Sequence, residues 1–235
     1  FDKFKTHVEK AMHMMDDIID LELEKVEQII KKIEEDPEDE DIRRVELELW
    51  KKIRTMARKG RRTGLGITAE GDMLAALGLR YGTPEATAFA VKVQKTLAIE
   101  AYRASVKMAG ERGPFEVFDA RREEHNPMIT RIREADPALY DEMVQKGRRN
   151  IAMLTIAPTG TTSLMSQTTS GIEPVFRPVY KRRRKINPSD QDAKVAFVDE
   201  MGEKFEEYNV YHHNFVKWLN ANGYDTSKLK DISDE

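Results

Sequence analysis

Apolar positions recur with helical spacing over most of this chain, and the exceptions mark where it turns or extends. From residue 4 to 33, Phe4, Val8, Ala11, Met15, Ile18, Ile19, Val26, Ile29, Ile30 and Ile33 follow a helical period. Glu9, Lys10, Asp16, Asp17, Glu24 and Lys31 fill the other face. The pattern predicts one long amphipathic helix, or two if residues 20–24 bend. The acidic stretch 34–41 contains Pro37 and reads as a connector. Ile42, Val45, Leu49, Ile53 and Met56 then mark a second helix. Thr83-Pro84 supplies a cap and an N1 proline for another, whose core stripe is Ala86, Phe89, Ala90, Val93, Leu97, Ala101, Ala104 and Met108. Residues 110–149, punctuated by Pro114, Pro127, Pro137 and Gly147, predict short helices over 119–124, 127–134 and 137–146. Helices over 189–208 and 211–220, the second anchored by Trp218, precede a frayed tail at 225–235.

Three stretches depart from that period and read as strands: 63–68, 150–157 and 175–180. Thr68 is placed to cap a helix over 69–79. Strands alternating with helices predict a helix-rich α/β fold with parallel strand pairs. Three strands bury few sheet faces for so many helices. The chain therefore reads as one domain over residues 1–235 whose sheet or barrel is incomplete on its own.

The stretch with the clearest chemistry is 150–173, NIAMLTIAPTGTTSLMSQTTSGIE. An apolar run ends at Pro158, which has no N–H to give a ladder. Gly160 permits a tight turn, and Thr161, Thr162 and Ser163 suit the opening of a helix over 162–167 that ends near Ser170-Gly171. A strand, a small-residue turn and a helix N-terminus together make an anion site, with free N–H groups and a partial positive charge. The glycines at 64, 66 and 71 miss the spacing of the dinucleotide fingerprint and read instead as points of close backbone approach. His7 and His13 lie six apart, off the spacing of a helical metal pair.

Composition narrows the classes. A net charge of −3 exerts no global pull toward nucleic acid. The dense basic run KRRRK at 181–185 reads as a solvated strand end or loop, with a phosphate-facing rim, a nucleic-acid patch or a localisation signal as the functional options. No run of 18 apolar residues points to a membrane, and no signal peptide is visible. The absence of cysteine excludes disulfides and thiolate metal sites within these 235 residues. The chain begins at Phe1, which is expected of a processed product, a trimmed chain or a piece of something longer.

RRTGLGITAEGDMLAALGLRYGTPEA and RNIAMLTIAPTGTTSLMSQTTSGIEPVF, in that order and at that separation, resemble the C-terminal part of the catalytic barrel of ribonucleotide reductases. The resemblance is greatest to the adenosylcobalamin-dependent, class II enzymes and runs from about residue 1 to 219. It implies a ten-stranded α/β barrel of two five-stranded halves, with this chain supplying the later strands. It also implies that Pro158, Thr159, Gly160, Thr161, Thr162 and Ser163 bind the phosphates of a ribonucleoside di- or triphosphate. Backbone N–H groups of residues 160–163 and the hydroxyls of Thr159, Thr161, Thr162 and Ser163 would be the donors. The loop has no lysine of the P-loop kind, so it would position a nucleotide rather than hydrolyse it.

The family's radical chemistry requires a finger-loop cysteine and a reducing cysteine pair, and this sequence has neither. The resemblance thus implies a cytoplasmic split enzyme, inactive as this chain alone. A cysteine-bearing N-terminal ribonucleotide reductase polypeptide would carry the radical site and most of the adenosylcobalamin contacts. No catalytic residue or metal ligand is assigned here, no nucleic-acid or membrane partner is expected, and a higher oligomer stays open. The alternatives are a cysteine-free, nucleotide-binding regulatory or decoy subunit, and a helical interaction module whose threonine-rich turn is only a cap.

Overall fold

The computed structural model describes residues 1–190 and 193–229, which fall into two compact units. The first comprises residues 1–66 and 87–156, the second 67–86 and 157–235.

In the first unit, α1 (Asp2–Glu34) is a single unbroken helix and α2 (Glu40–Gly60) folds back along it. Ion pairs fix the antiparallel register. Lys51 reaches Glu34, Arg54 and Arg58 share Glu27, and Arg61 reaches Asp20. The connector is capped by Asp39, whose carboxylate accepts the Asp41 N–H at 2.9 Å. The apolar side of α1 lies slightly off the expected line. Val8, Met12, Ile19, Val26, Ile30 and Ile33 are buried, while Ile18 is exposed. Asp16, expected on the charged face, is fully buried. On α2 most of the expected core stripe faces outward: Ile42, Val45, Leu49 and Met56 are exposed, Ile53 is half-buried, and no residue of the helix is buried.

α4 (Pro84–Arg112) runs through this unit after its first turn, with Val93, Leu97, Ala101, Ala104 and Met108 in the core as its stripe predicts. After a 3-10 turn (Ala120–Glu123), α5 (Pro127–Ala135) and α6 (Pro137–Lys146) form as expected. Each has proline at its start and a side-chain cap, Asn126 accepting from Met128 N at 2.9 Å and Asp136 from Leu139 N at 3.0 Å. The fully buried Arg148 lies against the rings of Tyr102, Phe115 and Phe118 and is gripped by both oxygens of Glu123. It donates to the carbonyls of Asn150 and Ile151 and so fixes where the next segment starts.

That segment and residues 60–65 align in parallel through Ile151 N to Gly60 O, Thr63 N to Ala152 O, Leu65 N to Met153 O and Thr155 N to Leu65 O. Only the Leu65–Leu154 bridge is complete, so neither 63–68 nor 150–157 is the full strand expected. A two-stranded parallel pair leaves both outer backbone edges unpaired, which keeps such a ladder short.

The second unit holds α3 (Glu70–Ala76), α7 (Gly160–Ser166), α8 (His213–Ala221) and a three-stranded sheet. The sheet order is β1 (Val179–Lys185), β3 (Lys204–Tyr211), β2 (Phe197–Val198), and every pairing is antiparallel rather than parallel. Residues 175–178 are not strand, and where a helix is expected over 189–208 the described residues form β2, a turn and β3, with 191–192 outside the described residues. Gly202, at φ 80°, and Asp199, whose carboxylate accepts from Met201 N and Glu203 N, close that turn. The basic run lies on β1 and is answered across the sheet, Arg183 by Glu207 at 2.7 Å, Arg184 by Glu206 at 2.6 Å, and Lys185 by Glu203. These exposed pairs set register more than stability. On α8, Trp218 stacks between Phe215 and Tyr224. The part of the expected frayed tail at 230–235 lies outside the described residues.

Candidate phosphate-binding site

α7 begins with an irregular turn. Thr159 stands in the left-handed region at φ 51°, where few side chains are found, and its side chain does not cap the helix. Its Oγ1 instead accepts the Gly171 N–H at 2.7 Å and lies 2.9 Å from Thr68 Oγ1. Thr68 in turn donates to the Thr169 carbonyl at 3.1 Å. Thr68 is therefore a tie between two turns and not the cap of α3, whose N-cap is Ala69 at φ 66°. The Ser163 hydroxyl donates to the Gly160 carbonyl at 2.8 Å and meets Ser170 Oγ at 2.8 Å. Both hydroxyls are committed to holding the loop in shape.

The rest of the predicted set faces outward. Pro158, Gly160, Thr161 and Thr162 are exposed, and a Cβ built on Gly160 meets nothing within 4 Å. The N–H groups of Gly160, Thr161 and Thr162 belong to the first helical turn and have no intrahelical acceptor. The structure thus sorts the six residues. Thr159 and Ser163 build the turn, while three N–H groups and the hydroxyls of Thr161 and Thr162 stand open beside it.

A second layer came from residues that carried no signal in the sequence. Asp72, in the first turn of α3, accepts from Thr169 N at 2.9 Å and from Asn214 Nδ2 at 2.8 Å, and its own N–H reaches Thr169 Oγ1 at 3.2 Å. It lies 3.8 Å from His212 Nε2, a buried nitrogen without a hydrogen-bond partner among the described residues. The hydroxyl cluster Thr168-Thr169-Ser170 just before a glycine was the one available clue. Gly71 admits this packing because a Cβ there would sit 2.4 Å from the Glu173 carbonyl oxygen. Beside α7 opens a cavity of about 670 Å³ lined by apolar Leu164, Phe176, Tyr180 and Tyr211 with Arg177 and His212. No helix among the described residues is long and apolar enough to cross a membrane.

The family model of the ribonucleotide reductase barrel domain matches residues 1–235. The chain is 31% identical over 226 residues to a protein of Thermoplasma acidophilum named vitamin B12-dependent ribonucleoside-diphosphate reductase, covering 95% of this chain and 23% of that protein. A protein of the same name from Mycobacterium tuberculosis is 35% identical over 127 residues, 54% of this chain and 16% of that one. The ribonucleoside-diphosphate reductase large subunit of Arabidopsis thaliana is 25% identical over 142 residues, 55% of this chain and 17% of its own length. The chain therefore spans less than a quarter of the length of these curated relatives.

Proposed function

Because the chain belongs to the ribonucleotide reductase barrel-domain family, we propose that it is the part of such an enzyme that holds the phosphates of the substrate nucleotide. On this reading residues 1–235 are one barrel domain, contributing the later strands of a ten-stranded α/β barrel, and the protein works in the cytoplasm. The substrate is a ribonucleoside di- or triphosphate. The observation that carries the site is the division within the loop. Thr159 and Ser163 are spent on shape, leaving the N–H groups of residues 160–162 and the hydroxyls of Thr161 and Thr162 open for phosphate oxygens. Such donors fix a nucleotide in place, and positioning is what they contribute to the reaction.

The reading assigns adenosylcobalamin, the source of the radical, to the assembled enzyme, since two of the relatives above are named for vitamin B12 dependence. On this reading most of the cobalamin contacts come from the cysteine-bearing polypeptide. The cavity beside α7, at about 670 Å³, has the dimensions of a small-ligand pocket. The thiol chemistry is assigned to a separate cysteine-bearing polypeptide, because the 235 residues contain no cysteine. The same absence favours a second reading, a nucleotide-binding regulatory or decoy subunit without reductase activity.

One experiment separates the two. The chain alone is expected to form no deoxyribonucleotide, and to do so when mixed with a cysteine-bearing N-terminal polypeptide and adenosylcobalamin. Tight assembly without turnover would leave the decoy reading standing. Gly160→Val tests the cradle itself, since its side chain enters open space and leaves the fold intact. Substrate affinity in the assembled complex is expected to fall roughly 10- to 100-fold, the loss of one or two charge-assisted hydrogen bonds. Unchanged affinity would remove the loop from the site.

A further inference from the structure

Thr159, at φ 51°, holds a backbone conformation that a threonine keeps only where its surroundings enforce it. The enforcing bond comes from the Gly171 N–H to Thr159 Oγ1. The loop at 158–163 is therefore only as fixed as the 168–171 turn behind it.

That turn is fastened to the start of α3. The Ala69 and Glu70 N–H groups donate to the carbonyls of Thr169 and Gly171 at 3.1 and 3.2 Å. Asp72 adds a reciprocal pair: its Oδ2 accepts the Thr169 N–H at 2.9 Å, and its own N–H donates to Thr169 Oγ1 at 3.2 Å. The same Oδ2 accepts Asn214 Nδ2 at 2.8 Å and so ties in α8. A carboxylate makes both bonds stronger than a neutral acceptor would. Its other oxygen, Oδ1, stands 3.8 Å from His212 Nε2, beyond hydrogen-bond range. Thr169 is buried and the Asp72 side chain is 14% exposed. All these groups belong to the second unit, so polypeptide packed against its outside would leave the network in place.

We infer that Asp72 is a positioning residue for the nucleotide phosphates. It fixes the Thr169 N–H, the turn from Thr169 to Gly171 presents the Gly171 N–H to Thr159 Oγ1, and Thr159 sets the direction of the open N–H groups of residues 160–162. Asp72 acts through the turn and not by contact with phosphate. The inference rests on the proposed phosphate-holding role of the loop.

In the assembled enzyme, Asp72→Ala is expected to weaken nucleotide binding about tenfold and to speed hydrogen exchange at the Gly171 amide at least tenfold. Asp72→Asn keeps an oxygen for the Thr169 N–H and can turn its NH2 toward His212 Nε2, which has no other partner among the described residues. Both readouts should then return to within about threefold of the natural sequence. Asp72→Glu displaces the carboxylate by one methylene and should lose affinity like Asp72→Ala, which keeps the test open if the alanine variant does not fold. Because Asp72 and Thr159 act along one path, the double variant Asp72→Ala/Thr159→Val should lose little more than the weaker-binding single variant. Losses that multiply would assign Asp72 to the general stability of the second unit and overturn the inference. So would normal nucleotide binding by Asp72→Ala, or by Asp72→Glu in its place, while Gly160→Val loses affinity. If Gly160→Val also binds normally, the phosphate reading itself falls and the inference falls with it.

Discussion

Asp16→Ala is expected to destabilise the first unit by about 3–5 kcal/mol, the usual cost of removing one member of a buried charge network. Against a total stability of about 5–15 kcal/mol this is a large fraction of the whole. The carboxylate is 0% exposed and gathers four groups from three places in the chain. Arg61 Nε donates to it at 2.8 Å, Asn150 Nδ2 at 2.9 Å, Arg149 Nε at 3.2 Å and Arg112 at 3.3 Å. Without it, the guanidinium of Arg61 keeps only Asp20 and the Asp16 carbonyl, and the left-handed turn at Arg61, φ 44°, loses its main restraint. Asp17 and Asp20 lie close enough to suggest a cation site, but Arg112 and Arg61 already occupy them at 2.7 Å. Urea unfolding followed by circular dichroism measures the loss, and a change below about 1 kcal/mol would show that the network is dispensable.

The same group sets an acid limit. Burial pushes the Asp16 carboxyl up, but the hydrogen bonds and charges of Arg61 and Arg149 outweigh it and hold the group below its ordinary value of 3.8. A depressed folded value means that the unfolded chain binds the proton first. The stabilisation is therefore complete above about pH 4 and is lost as pH falls through the folded value. Stability plotted against pH should fall less steeply below pH 4 in Asp16→Asn than in the natural sequence. Parallel curves would assign the acid sensitivity to other carboxylates.

Gly171→Ala is expected to open the 158–163 loop, which is proposed to hold phosphate. Gly171 sits at φ 49°, where an alanine costs roughly 1–2 kcal/mol, and its Cβ would stand 2.9 Å from the Ala157 carbonyl oxygen. Relief by moving the chain would pull the Gly171 N–H from Thr159 Oγ1 and release the turn that presents residues 160–162. If the loop holds nucleotide as proposed, affinity in the assembled enzyme should drop at least tenfold, and the unfolding temperature of the second unit should fall. Thr159→Val, which removes the acceptor but keeps the glycine, should lose affinity in the same direction by a smaller amount. If both variants bind nucleotide normally, the loop is not shaped by this bond.

The sequence by itself determined the long helices α1, α2 and α4, the proline-capped α5 and α6, and the turn at 158–163. Each of these depends on local facts: a sustained 3.6-residue period, a cap three residues from its N–H, or a proline at N1. It determined the family too, because two long segments kept their residues and their order. What it left open depended on partners distant in the chain. Asp16 looks like a surface carboxylate until Arg61, Arg149 and Asn150 arrive from 45 to 134 residues away. The acidic and apolar residues of 204–211 fit a helix as well as a strand, and the arginines of β1 settle the matter by pairing with Glu206 and Glu207. Likewise, four hydroxyls in a row look equally free. Only the return of Gly171 and Ser170 to the loop decided which of them, Thr159 and Ser163, are held inside it.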